Sequence, residues 1–116
     1  MPPTIADRGS HIEVLIGVPD LRGDDFLDVL VRATNRFGRK PILVLCDDPR
    51  REMGLDEAYR IGVEVARRFP LQAVAIALRG REASEAEYFT ERVASNRGAR
   101  VRYFHDVPSA RSWLAA

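Results

Sequence analysis

Two short runs, Ile42 to Cys46 and Ala73 to Leu78, contain only apolar side chains. Runs this brief, bounded by polar segments, fit strands covered on both faces, which is the arrangement of a parallel sheet. Parallel neighbours cannot be joined by a tight turn, so a long crossover must separate them. The chain supplies it. Between the two runs, Leu55, Ala58, Gly62, Val65, Ala66 and Phe69 mark one face of a helix, and Pro70 closes it. Ahead of the first run, Gly23-Asp24-Asp25 opens another helix with acids at its positive end. Phe26, Leu30, Ala33 and Phe37 follow at three- and four-residue spacing, and Gly38 is a natural stop.

The same alternation continues in both directions. Thr4-Ile5-Ala6 reads as a first strand, Asp7-Arg8-Gly9-Ser10 as a turn, and His11 to Val18 as the hairpin partner, with Ile12, Val14, Ile16 and Val18 at a period of two. Ser84-Glu85-Ala86-Glu87 fits a capping box at the start of a third helix, which uses Ala86, Phe89 and Val93 and ends at Gly98. Val101 to Phe104 is a short last strand, and Arg100 and Arg102 give it a solvated face or an edge position. Asp106-Val107-Pro108 then starts a final helix with Ala110, Trp113 and Leu114 facing inward. The expectation is a single α/β domain spanning residues 1–116, with a mainly parallel, mixed sheet of about five strands, an N-terminal hairpin and about four helices. Its expected core is Ile16, Phe26, Leu30, Ile42, Val44, Val65, Phe69, Val74, Ile76, Phe89 and Trp113.

Composition narrows the function. The 116 residues carry 18 basic against 17 acidic side chains, a net charge of +1, so the basic excess of a general nucleic-acid binder is missing. All the basic residues but Lys40 are arginine, which reads first as a codon bias and second as a taste for directional contacts to carboxylate or phosphate. With one cysteine, Cys46, no internal disulfide can form. No apolar run approaches the roughly 20 residues of a membrane span, and Met1-Pro2-Pro3-Thr4 has no apolar signal core, so the expected location is the cytoplasm.

Three stretches carry a family resemblance. They are the hairpin ending in Ile16-Gly17-Val18 followed by an acidic helix start with Phe26, the long helix running into Phe69-Pro70 and Ala73-Val74-Ala75-Ile76, and the ending Val101-Arg102-Tyr103-Phe104 through Ala110-Arg111-Ser112-Trp113-Leu114. The whole resembles the STAS domain of bacterial anti-anti-sigma factors such as SpoIIAA, and more closely its SpoIIAA-like branch, grouped with STAS/SEC14 names. The resemblance implies a non-enzymatic module that binds a protein or a small ligand. It does not carry the family's phospho-switch. That switch needs a Ser or Thr in the loop after the first buried strand, and Cys46 to Asp56 contains neither. A chain this short also has little room to enclose an acyl chain.

Ligands of parallel sheets tend to sit beyond the carboxyl ends of the strands. Two loops should meet there, one with Asp47, Asp48, Arg50, Arg51 and Glu52, the other with Arg79, Arg81 and Glu82 ahead of the helix start at Ser84. Asp47, Asp48, Arg50, Arg51, Arg79, Arg81 and Ser84 are therefore the candidate surface for a protein partner or a small anionic ligand, with Asp47, Asp48, Glu52 and Glu82 as counter-charges. The alternative is a solvated, internally paired loop pair. A second copy of the chain is a further partner the sequence leaves open. An Asp47–Asp48 metal or phospho-acceptor pair of the receiver kind would define a small enzyme or phosphoprotein instead, but no lysine follows Lys40 to complete it. His11 and His105 read as ordinary surface histidines and Cys46 as a buried structural thiol. There is no glycine-rich phosphate loop, no metal-spaced Cys/His cluster and no nucleophile elbow, so neither a cofactor nor a catalytic residue is expected.

Overall fold

The computed structural model describes residues 3–16, 23–47, 53–79 and 81–116. Its elements alternate as β1 (Thr4–Asp7), β2 (Ile12–Ile16), α1 (Gly23–Phe37), β3 (Ile42–Cys46), α2 (Leu55–Arg68), β4 (Ala73–Leu78), α3 (Glu85–Asn96), β5 (Arg100–Phe104) and α4 (Val107–Ala115). The sheet follows chain order, β1-β2-β3-β4-β5. β1 pairs antiparallel with β2 and the other pairs are parallel. The opening hairpin turns at Gly9, whose φ of 89° suits a residue without Cβ, and the Asp7 carboxylate accepts the Gly9 amide at 2.9 Å. The expected second strand ends at Ile16, and Gly17 and Val18 lie outside the described residues.

Strands laid down in sequence by crossovers of one hand place their helices on one face. The larger core shows this: Ile12, Val14 and Ile16 of β2, Ile42 and Val44 of β3 and Val74, Ile76 and Leu78 of β4 pack with Leu27 and Leu30 of α1, Ile61 and Val65 of α2 and Ala94 of α3. The opposite face presents Leu43, Leu45, Ala75 and Ala77 to Ala110, Trp113 and Leu114 of α4. Register aligns Val14, Val44, Ile76 and Tyr103 in one row under the three helices, and Ile16, Cys46 and Leu78 in the next row toward the carboxyl end.

Helix ends follow local chemistry. Gly38 and Gly98 take φ values of 93° and 90° after α1 and α3. Asp106 caps α4 by accepting the Ser109 amide at 2.7 Å. The turn into β4 runs through Leu71, which holds φ 63° although it is 82% exposed.

Several expected core positions shift. Phe89 is half-buried; the inward face of α3 is Ala86, Thr90, Val93 and Ala94. The cause is the close approach of α2, where a Cβ on Gly62 would sit 2.8 Å from Val93 Cβ and 2.9 Å from the Thr90 carbonyl oxygen, so only small or compact residues fit. Phe26, Phe37 and Trp113 flank the cores half-buried, and α1 turns Leu27, Val29, Leu30 and Ala33 inward. In α2, Leu55 is exposed and Ile61 replaces it inside.

Candidate functional site

Asp47 follows β3 and Arg79 follows β4. Because Cys46 and Leu78 are partners in register, both loops leave the sheet at one level. The Arg79 amide donates to the Cys46 carbonyl at 3.0 Å. The Arg79 guanidinium grips the Asp47 carboxylate with two hydrogen bonds, Nε to Oδ1 at 2.6 Å and Nη2 to Oδ2. This pair is a rim feature, with both side chains more than 40% exposed.

Arg81 turns inward instead. Its Nη1 donates to Glu87 Oε1 at 2.7 Å and its Nη2 to Glu87 Oε2 at 2.9 Å. Glu87 Oε1 also accepts the Ser84 amide at 2.8 Å, and Ser84 Oγ accepts the Glu87 amide at 3.1 Å, which completes the expected capping box. One carboxylate thus holds both a helix start and an arginine, and only 16% of its side chain is exposed. Burial pushes the Glu87 carboxyl up, but the bonds from Arg81 and the Ser84 amide outweigh it and hold the group below its ordinary range. Glu82, expected as a counter-charge here, gives Arg81 only its backbone oxygen, and its carboxylate lies 4.0 Å from His105. Asp48, Arg50 and Arg51 lie outside the described residues. The candidate surface therefore divides, among the described residues, into an outer Asp47–Arg79 pair and an inner Arg81–Glu87–Ser84 unit.

The inner unit borders a cavity of about 100 Å³ between the sheet and the three-helix layer. Ile76, Leu78 and Tyr103 line it from the sheet, and Phe26, Leu30 and Met53 line it from α1 and the segment before α2. The lining is mostly apolar, interrupted by Arg81, Glu87, Thr90, Tyr103 and Cys46. Thr90 is already satisfied, its hydroxyl shared between the Ala58 and Ala86 carbonyls at 3.0 and 3.2 Å. Tyr103 is anchored by its backbone amide, which donates to Glu91 Oε1 at 2.7 Å. Among the described residues its hydroxyl makes no hydrogen bond. Burial, and then the nearby Glu87, Cys46 and Glu91, push the phenol far above its ordinary ionisation range, so it stays neutral and can donate.

Tyr103 and Glu87 were missing from the sequence-predicted site. Alternation along β5 does place Tyr103 on the face of Val101, and that is the signal that points to it. Cys46 is half-buried on this cavity rather than fully buried. His11 is also more enclosed than a surface histidine, 3.6 Å from Glu13, which Arg8 and Arg111 approach at 3.5 and 3.7 Å. Among the described residues no group of three or more His, Cys, Asp or Glu is placed to hold a metal ion, and no helix is long and apolar enough to cross a membrane. In comparisons with family models, with curated proteins and with solved structures, nothing matches this chain. What it does has to be read from its own geometry.

Proposed function

We propose that the chain is a non-enzymatic binding module of the SpoIIAA-like (STAS) kind, and that it takes a small, largely apolar ligand into the cavity beneath α1, α2 and α3. The observation that carries this reading is an apolar cavity whose charged wall residues, Arg81 and Glu87, neutralise each other. The element order supports the family part of the reading. Sites for drug-sized ligands run to roughly 300–1,000 Å³, and apolar cavities near 150 Å³ take up benzene. A space of about 100 Å³ is therefore room for a small apolar molecule or the leading part of a ring, and not for an acyl chain.

Ethylbenzene titrated into the full chain with isotope-labelled methyl groups tests the reading by NMR. Saturable shifts are expected at Leu30, Ile76 and Leu78, while Leu43 and Leu45 on the α4 face stay still. Absence of saturable shifts at the first three, up to the solubility limit of the hydrocarbon, overturns it.

A further inference from the structure

We infer that this cavity selects neutral, ring-bearing molecules carrying a hydrogen-bond acceptor, such as a ketone or an ether, and that Tyr103 is the residue that makes the selection. The inference rests on the cavity-binding reading above and adds the chemistry of the ligand. Its first support is the Tyr103 hydroxyl. Tyr103 is half-buried, and its hydroxyl is not among the fully buried atoms left without a partner, so it faces accessible space. Here the ring packs against the larger core and lines the cavity, and among the described residues the hydroxyl makes no hydrogen bond. Its position is fixed from behind by the bond from its amide to Glu91, so the donor is held in place before a ligand arrives.

The second support is electrostatic. Arg81 and Glu87 face each other through two hydrogen bonds, so the cavity wall presents a closed ion pair. A ligand carboxylate would approach a guanidinium whose charge Glu87 already offsets, beside the Glu87 carboxylate that repels it and that also holds the Ser84 amide at the start of α3. A ligand ammonium would approach a Glu87 carboxylate already offset by Arg81, whose guanidinium repels it. Either ion would give up hydration in a mostly apolar cavity whose charged pair is already neutralised, an unfavourable outcome. A neutral acceptor disturbs neither bond and satisfies the phenol. The mostly apolar lining strengthens that one hydrogen bond.

Four probes of similar size separate the possibilities: acetophenone, ethylbenzene, benzoate and benzylammonium. Each is titrated by NMR into the full chain and into Tyr103→Phe, with circular dichroism confirming that the variant is folded. In the parent, acetophenone is expected to bind and the two ions to bind at least about tenfold more weakly. In Tyr103→Phe, the ratio of acetophenone to ethylbenzene affinity should fall about tenfold, the loss of one enclosed hydrogen bond. Ethylbenzene itself should bind both proteins alike. An unchanged ratio in the variant overturns the role of Tyr103 while leaving the cavity as a binding site. Benzoate or benzylammonium as the tightest probe overturns the selection of neutral ligands in the same way. Failure of all four to bind removes the cavity reading and this inference together.

Discussion

On the α4 side of the sheet, Ala75 and Ala77 are fully buried, and small residues let one short helix lie close, with the Phe104 and Trp113 rings 5.7 Å apart at its margin. On the other side three helices cover larger branched residues, and both the tightest contact and the void are found there. α2 and α3 meet at Gly62 closely enough to exclude a single methyl group, yet the space bounded by Phe26, Ile76 and Tyr103 is left unfilled. A layer that packs to contact at one point is not loosely packed in general. The void is therefore a local feature beside Arg81, Glu87 and Tyr103, and that coincidence gives it functional meaning.

The largest test of this contrast is Phe69→Ala. Phe69 is 1% exposed, ends α2 and belongs to the three-helix core. Its truncation should cost about 3–5 kcal/mol in a denaturant melt. Trp113→Ala on the α4 side should cost less, because Trp113 is only half-buried. The reverse order would mean that the main core lies under α4.

Gly62→Ala comes next. In a helix interior, propensity alone favours alanine by about 1 kcal/mol. Here the new methyl group would meet Val93 Cβ and the Thr90 backbone oxygen, neither of which is the yielding tip of a long side chain. The clash should win, with a net loss of about 1–3 kcal/mol. A stabilised Gly62→Ala would show that the α2–α3 contact can relax.

A matched pair of enlargements compares the two faces directly. Val44→Ile adds one methylene toward the cavity and should leave stability within about 1 kcal/mol of the parent, on the favourable side. Ala75→Val adds bulk beneath α4, where Ala75 has no exposed surface, and should cost about 1–3 kcal/mol. Equal losses in thermal or chemical melts would abolish the proposed difference between a filled and an unfilled face.

The repeating plan was legible because short apolar runs and glycine stops are local signals. Ile42–Cys46 and Ala73–Leu78 are strands with the expected bounds, and Gly38 and Gly98 end their helices. The inward face of α3 was not legible in the same way. Thr90 is polar, and apolar periodicity passes over it in favour of Phe89, yet its hydroxyl is satisfied by two carbonyls once α2 is beside it. Of the charged loops, the meeting of Asp47 and Arg79 follows from parallel topology. The inward turn of Arg81 depends on Glu87, six residues on and already legible as a capping residue. A second use of one carboxylate leaves no mark in spacing. The cavity is a tertiary property: alternation puts Tyr103 on the inner face, but only the packed helices decide whether space remains in front of it.

The smallest expected effect concerns pH and bears on the polar wall of the three-helix face. The Glu87 carboxyl is pushed up by burial and pulled down further by Arg81 and Ser84, and the balance leaves it below the ordinary 4.5. A carboxyl lowered by folding contributes stability that is present above the unfolded value. That contribution fades as pH falls from about 4.5 through the folded value, because the unfolded chain takes up the proton first. Denaturant melts at a series of pH values should therefore show stability declining over this acidic window. Glu87→Gln should flatten that decline while lowering stability at neutral pH, since Arg81 then faces an uncharged amide. The exposed Asp7, lowered first by the Gly9 amide and then by Lys40, titrates in the same acidic region, so Asp7→Asn serves as the control. If Glu87→Gln changes the pH profile no more than Asp7→Asn does, the buried pair is not coupled to folding. The cavity wall would then be more yielding than its two hydrogen bonds imply.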